Sequence, residues 1–151
     1  MNKFNIEYEK NGFCIIKNFF SKSVITKILY EIAISKNIDV YFDKIGNLRR
    51  VERLYDKGTN LRLINKKIIN FLKKKFKMNL VIFKDKFNAK PPGGEGFYAH
   101  YDGIFYFKNN SNKTKKGWYE YSDYFINILV ALDNCSSKNG TIELAKIDNG
   151  N

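Results

Sequence analysis

The chain has 151 residues, of which 44% are hydrophobic, so it is long enough for one globular domain with its own core. Charged residues make up 28%, and the formal net charge is +12. Nothing in this composition requires a collagen-like or repetitive architecture, and it does not indicate disorder. The first ten residues are polar and charged, and Asn127 interrupts the longest apolar run. The sequence therefore predicts neither a signal peptide nor a membrane span.

The positive charge invites a nucleic-acid interpretation, but most of it comes from lysine. Of the 27 basic residues only four are arginine: Arg49, Arg50, Arg53 and Arg62. Readers of phosphates and bases favour the bidentate arginine fork, so the lysine excess indicates solvated faces and no specific nucleic-acid site. Cys14 and Cys135 stand far apart and without CxxC spacing. They predict a reduced, cytoplasmic protein with neither a disulfide framework nor a zinc knuckle.

Two helices are predicted in the first half of the chain. Residues 12–19 are first expected to form a short buried strand. Ser21 then suits the N-cap of a helix over about residues 22–36. Its apolar residues recur at helical spacing: Val24, Ile25, Ile28, Leu29 and Ile32.

The next segment, residues 38–58, shows no clear period. Gly46 and Gly58 predict turns on either side of a charged cluster at residues 49–53. Thr59 is the expected cap of a second helix, whose lysine-rich face points outward. The apolar stripe of that helix consists of Leu61, Ile64, Ile68, Leu72 and Phe76.

From residue 79 the pattern becomes that of strands. We predict strands over residues 80–90, 97–106, 124–133 and 141–147. A proline–glycine turn at residues 91–94 separates the first two, and residues 108–117 are expected to form an exposed loop. Helices followed by antiparallel strands predict an α+β fold, with residues 1–78 mostly helical and packed on a sandwich or jelly roll within one domain.

The strongest chemical feature is the sequence His100-Tyr101-Asp102. On a strand, residues i and i+2 point to the same face, so an imidazole and a carboxylate can meet one cation there. Two histidines and a carboxylate form the facial triad of non-haem Fe(II) oxygenases. An HxD pair by itself is weak evidence, because a hydrogen-bonded surface pair has the same spacing.

Four segments give the pair its context. Residues 84–103, with Lys-Pro-Pro-Gly before HxD, resemble the corresponding turn and strand of the phytanoyl-CoA dioxygenase family. The opening Gly-Phe segment at residues 12–21, the stretch 125–133 and the Lys-Asn-Gly turn at residues 138–140 are similar to further parts of that family. The resemblance covers nearly the whole chain in the family's order.

This resemblance implies the activity, the cofactors and the fold of the family. The expected enzyme is a dioxygenase that uses Fe(II), 2-oxoglutarate and O2 to hydroxylate a small molecule, on a double-stranded β-helix of cupin-like type. His100 and Asp102 would be metal ligands. Lys84, Asn88 and Asn127 are polar at predicted strand positions and are candidates for binding the cosubstrate. Lysines alternating along a strand are equally typical of a solvated face.

The family also requires a second histidine ligand and a later arginine for 2-oxoglutarate. His100 is the only histidine, and no arginine follows Arg62. We therefore expect the chain to be truncated within an incomplete β-helix, and these 151 residues alone to be inactive or nearly so.

Other interpretations stay open at this point. The chain could be a non-catalytic member of the same fold, a basic binding module, or another cupin-like metal enzyme such as an isomerase. A downstream histidine followed about ten residues later by an arginine would favour the oxygenase. The aromatic cluster of Trp118, Tyr119, Tyr121 and Tyr124 could line a substrate pocket, although such stripes are usually core.

Overall fold

The computed structural model describes residues 3–94 and 96–146 and combines helices with antiparallel strands, as the α+β prediction expected. Residues 96–133 form one compact unit, and the other described residues form a second. The helices are α1 (Lys3–Asn11), α2 (Lys22–Ile34) and α3 (Thr59–Phe76). The strands are β1 (Asp39–Phe42), β2 (Leu48–Glu52), β3 (Lys86–Asn88), β4 (Tyr106–Lys108) and β5 (Thr114–Lys116). Within the described part of the chain, no helix is both long and apolar enough to cross a membrane.

Helix α1 was not anticipated from the sequence, because its first residues carry no clear apolar stripe. Its Tyr8 ring packs edge-on against Phe76 at the end of α3, with ring centroids 5.2 Å apart. Gly12 ends the helix with φ +76° and donates its backbone N–H to the carbonyl of Tyr8. That left-handed conformation favours glycine. A tertiary contact thus accompanies a helix that propensity alone does not predict.

Helix α2 confirms the predicted amphipathic helix: it begins at Lys22 as expected and ends at Ile34, two residues before the predicted end. Ser21 is its N-cap, and the hydroxyl accepts a hydrogen bond from the backbone N–H of Val24 at 3.4 Å. Of the predicted apolar stripe, Ile28 and Ile32 are buried, with 1% and 9% of their surfaces exposed. Leu29 keeps 39% of its surface exposed, so the stripe that packs is narrower than the stripe in the sequence.

Helix α3 also confirms its prediction, except at the cap. Gly58 is the N-cap and Thr59 is the first helical residue. Glycine has no side chain that could accept a hydrogen bond from the helix terminus. Instead Glu31 of α2 accepts hydrogen bonds from the backbone N–H groups of Asn60 and Leu61, each at 2.9 Å. A neighbouring helix therefore performs the capping that the sequence assigned to Thr59.

The unit outside residues 96–133 has its core where α2, α3 and the residues around β2 contribute buried side chains. Both predicted helix stripes reach it, and Val51 and Leu54 join them with 4% and 3% exposure. The buried apolar residues are Ile28, Ile32, Val51, Leu54, Leu61, Ile64 and Leu72. Arg62 and Asn65 of α3 donate side-chain hydrogen bonds to the carbonyls of Asp56 and Tyr55, which ties α3 to the turn after β2.

The unassigned segment 38–58 contains the hairpin of β1 and β2, and β3 pairs with β2 on its other side. All pairings are antiparallel, with Val51 opposite Val40 and Phe87. The hairpin loop is closed by Asp43, whose Oδ1 accepts the backbone N–H groups of Ile45 and Asn47. Gly46 lies in this loop with φ +85°, so the predicted turn there is confirmed.

In the unit of residues 96–133, the predicted exposed loop 108–117 is wrong. Strands β4 and β5 form a hairpin there, with Phe107 opposite Lys115, and a short 3₁₀ helix, Gly117–Glu120, follows. The intervening turn is held by Asn109, whose Oδ1 accepts the backbone N–H groups of Ser111 and Lys113. The polar composition correctly indicated the turn but concealed the two short strands beside it.

Several predicted strands are not strands in the structure. Residues 12–19 and 124–133 are irregular, and Ile15 and Leu129 keep 72% and 69% of their surfaces exposed. Of 80–90 only Lys86–Asn88 pairs, and of 97–106 only Tyr106 lies in a strand. Residues 141–146 are irregular, and residue 147 lies outside the described residues. A strand exists only where a ladder satisfies its backbone groups, and alternating side chains do not supply that partner.

Candidate functional site

His100 and Asp102 lie close together, but not for the reason that the sequence suggested. Residues 100 and 101 are irregular, and Asp102 and Gly103 form a turn, so the alternation of a strand does not align the two side chains. Nε2 of His100 nevertheless stands 3.3 Å from Oδ1 of Asp102. The two side chains are 56% and 38% exposed. The turn after His100 therefore brings the two side chains together, as a strand had been expected to do.

The backbone carbonyl of Tyr98 determines which ring nitrogen of His100 points at Asp102. Nδ1 lies 2.6 Å from that carbonyl oxygen, and a carbonyl can only accept. Nδ1 must therefore carry a proton, which leaves Nε2 as the nitrogen that faces the carboxylate. Fixing a ligand histidine through its other ring nitrogen is the usual arrangement around protein-bound metals.

The spacing of the two donor atoms suits one cation. Nε2 and a carboxylate oxygen attract each other only through a positive charge between them, either a proton or a metal ion. Adjacent ligands of an octahedral ion with bonds of about 2.1 Å lie roughly 3 Å apart. The 3.3 Å separation of Nε2 of His100 and Oδ1 of Asp102 is close to that value. The pair therefore fits two neighbouring positions of a facial triad.

Asn127 contacts the same carboxylate from a different segment. Its Nδ2 donates to Oδ2 of Asp102 at 3.1 Å, which leaves Oδ1 facing His100. Asn127 was a candidate for binding the cosubstrate; the structure places its amide on the carboxylate of Asp102. Residues 96–133 thus contain His100, Asp102 and Asn127 together, with Tyr98 contributing a backbone atom. No residue-type signal could have revealed Tyr98, because every residue carries that carbonyl.

Lys84 and Asn88 belong to the other unit and contact β2. Nζ of Lys84 lies 3.2 Å from Oε1 of Glu52, a buried carboxylate that also faces Nε of Arg50 at 2.8 Å. Asn88 pairs with Arg50 in the sheet, and its side-chain oxygen is buried without a hydrogen-bond donor among the described residues. Such an acceptor calls for a partner, so Asn88 is suited to a polar ligand.

A cavity of about 240 Å³ opens beside Lys84 in this unit. Asp85 lines it and accepts the backbone N–H of Leu54 at 2.8 Å. Partial burial raises the pKa of the Asp85 carboxyl; the Leu54 N–H counteracts the rise, and the nearby Glu52 adds to it. The cavity is lined by Glu52, Arg53, Tyr55, Ile82, Phe83, Lys84 and Asp85.

Among the residues that the structure describes, no three histidine, cysteine or carboxylate side chains gather into a group that could hold a metal ion. The His100–Asp102 pair offers two donor side chains, one fewer than a facial triad requires. This agrees with the sequence, in which His100 is the only histidine.

Comparison with known proteins identifies the family of this chain. The family model for phytanoyl-CoA dioxygenase (PhyH) matches residues 8–145, and the chain therefore belongs to this family. The expectation drawn from residues 12–21, 84–103, 125–133 and 138–140 is thereby confirmed.

Two relatives of the chain are named as dioxygenases. A "probable alpha-ketoglutarate-dependent hypophosphite dioxygenase" of Stutzerimonas stutzeri is 29% identical over 90% of this chain and 49% of its own length. A "2-aminoethylphosphonate dioxygenase" of the uncultured bacterium HF130_AEPn_1 is 28% identical over 92% of this chain and 54% of its own length. The chain thus spans about half the length of the curated relatives that it matches. No solved structure matches the chain.

Proposed function

We propose that the full-length protein is an Fe(II)- and 2-oxoglutarate-dependent dioxygenase in which His100 and Asp102 are two of the three metal ligands. The observation that carries the proposal is the 3.3 Å approach of Nε2 of His100 to Oδ1 of Asp102. The backbone of Tyr98 and the amide of Asn127 support it from outside the pair. Family membership supports the same assignment.

The residues of this chain would hold and orient the reacting groups. The iron, when bound, supplies the oxidation of a substrate with O2 while 2-oxoglutarate is decarboxylated. Asn127 keeps Oδ2 of Asp102 engaged, so that Oδ1 is left for the metal. Lys84 and Asn88 stay predictions as contacts of 2-oxoglutarate, through a positive charge and a buried amide. The proposed scaffold is the jelly roll of the family, of which these residues form the first part.

The substrate is proposed to be a small molecule, and small phosphorus-containing anions are the first candidates. The two relatives are named for hypophosphite and 2-aminoethylphosphonate, neither of which is a lipid thioester. A phytanoyl-CoA-like substrate has no support from any residue contact described above. The selecting loops of a shared fold vary, so the family name does not define the substrate.

The test measures Fe(II) binding and succinate formation by the full-length protein with 2-oxoglutarate, O2 and each candidate anion. His100→Ala and Asp102→Ala are expected to abolish stoichiometric Fe(II) binding. Asp123→Ala, an exposed carboxylate of the same unit, is the matched control and should bind iron like the wild type. A full-length protein that binds no Fe(II) and forms no succinate would refute the enzyme and favour a non-catalytic member of the fold.

A further inference from the structure

Gly103, the residue after Asp102, is buried beneath an aromatic ring. Its φ is +81°, and a Cβ built on it would stand 2.9 Å from Cε3 of Trp118 and 3.1 Å from Cδ2. Real Cβ atoms do not approach other atoms so closely, so only glycine fits under this indole. Gly103 and Gly117 are the two buried residues of the unit 96–133, which is otherwise half-buried or exposed.

The backbone on the other side of the contact is equally constrained. Gly117 has φ +49°, and a Cβ there would collide with the carbonyl oxygen of Gly103. The same carbonyl accepts the backbone N–H of Trp118 at 3.2 Å. The indole and the chain that carries it are therefore docked onto the turn that contains Asp102.

The contacts continue from Trp118 back to Asp102. The Trp118 ring packs on Phe125 with centroids 5.6 Å apart. Asn127, two residues further on, donates to Oδ2 of Asp102 at 3.1 Å. Asp102, Gly103, Trp118, Phe125 and Asn127 thus form a closed circuit of contacts around one carboxylate. The circuit joins three segments that are irregular or 3₁₀ and lack a strand ladder of their own.

We propose that Trp118 is a positioning residue of the metal site, which holds the Asp102–Gly103 turn against the Phe125 segment so that the carboxylate meets His100. The identity of the ion rests on the proposed function; the positioning does not. A carboxylate that is 38% exposed has several rotamers open to it, and fixing one requires contacts outside the ligand itself. His100 is oriented separately by Tyr98, so loss of Trp118 should displace only one of the two ligands.

The experiment measures Co(II) affinity of the full-length protein by titration calorimetry and by the visible absorption of bound Co(II). Trp118→Ala is expected to weaken binding by about 10- to 100-fold, the size of effect that follows loss of the residues that orient a metal ligand. Trp118→Phe, which keeps a ring over Gly103, should stay within a few-fold of wild type. Tyr119→Ala is the matched control, because Tyr119 packs on the same Phe125 ring at 5.9 Å, whereas the atoms nearest a Cβ on Gly103 all belong to Trp118. Its Co(II) affinity should not change.

Gly103→Ala provides the reciprocal variant, since it presses a methyl group against the same indole, and it should weaken Co(II) binding as well. Folded Trp118→Ala and Gly103→Ala proteins with wild-type affinity would overturn the proposal. Hydrogen–deuterium exchange of the metal-free protein gives an independent measurement. Residues 100–105 and 125–128 should exchange faster in Trp118→Ala than in Tyr119→Ala, and equal exchange would also overturn it. A wild type that binds no Co(II) would refute the proposed function, while the exchange comparison still decides the role of Trp118.

Discussion

Glu31 allows the most quantitative prediction about stability, because this one carboxylate of α2 caps the N-terminus of α3. Oε1 accepts the backbone N–H of Asn60 at 2.9 Å and its side-chain Nδ2 at 2.7 Å, and Oε2 accepts the backbone N–H of Leu61 at 2.9 Å. Gly58 offers no side-chain cap of its own. Replacing Glu31 therefore leaves two helix-terminal N–H groups without their acceptor.

The expected loss follows from the size of a capping interaction. Removing a cap side chain costs about 0.5–2 kcal/mol, and a negative charge near a helix N-terminus adds about 0.3–1 kcal/mol at the surface. Glu31 is only half-buried, so water replaces part of the lost interaction. We expect Glu31→Ala to lower the free energy of unfolding by about 1–2 kcal/mol, and Glu31→Gln by less, since one acceptor remains.

The effect depends on pH with a defined sign. Burial by itself raises the pKa of the Glu31 carboxyl, but the hydrogen bonds from Asn60 and Leu61 outweigh it and hold the pKa below its ordinary value of 4.5. A depressed folded-state pKa contributes stability that is present above the unfolded-state pKa and is lost as pH falls through the folded-state value. The free energy of unfolding of the wild type should thus exceed that of Glu31→Gln most at neutral pH, and this difference should shrink below pH 4.5.

The assay is urea unfolding of the full-length protein between pH 3 and pH 7. Glu9→Gln, at an exposed site in α1, is the control and should change the free energy of unfolding by no more than about 0.5 kcal/mol. Gly58→Ala sharpens the test, because its Cβ would collide with the Glu31 carboxylate. It should destabilise the wild type but be nearly neutral in Glu31→Ala, since φ −152° suits any residue. The capping role would be refuted if wild type and Glu31→Gln differed in unfolding free energy by the same amount at pH 3 and pH 7. It would also be refuted if the losses of unfolding free energy in Gly58→Ala and Glu31→Ala simply added in the double variant.

Three further predictions address the core, the polar cavity and the proposed metal site. Ile28→Ala, at a side chain with 1% exposure, should cost about 2–5 kcal/mol of unfolding free energy, whereas Leu29→Ala beside it should cost less than about 1 kcal/mol; similar losses in urea unfolding would contradict the burial pattern. Because burial raises the folded-state pKa of Asp85, the wild type should lose stability relative to Asp85→Asn as pH rises from about 3.8, and a constant difference would exclude the shift. Asn127→Ala should weaken Fe(II) binding by about 10-fold while leaving urea unfolding nearly unchanged, and an unaltered Fe(II) affinity would remove its role in orienting Asp102.

The helices show how far sequence patterns reach in this chain. The sequence predicted the apolar stripes of α2 and α3 and the Ser21 cap, because these features depend on residues three or four apart. The cap of α3 was misassigned to Thr59, since its true acceptor, Glu31, lies about thirty residues away. Local rules find local partners, and a carboxylate from another helix leaves no local signature.

The strands show the opposite limit. Residues 124–133 have strong strand composition but no ladder, whereas 106–108 and 114–116 pair within a stretch that composition assigned to a loop. Strand pairing is a property of two segments together, so composition along one of them gives half of the information. The same holds for His100 and Asp102, whose approach depends on a turn and on Tyr98 and not on the predicted alternation.

Residue patterns were enough to predict the family, the two amphipathic helices and the choice of His100 and Asp102 as candidate ligands, because each depends on residue identity at fixed short spacing. Tertiary structure alone decided that Glu31 caps α3, that Asn127 contacts Asp102, and that Trp118 lies on Gly103. These contacts join residues from 15 to 30 positions apart, as with Gly103 and Trp118 or Glu31 and Leu61. Such contacts form only when the folded backbone brings distant segments within a few ångströms, and no pattern along the chain encodes that distance.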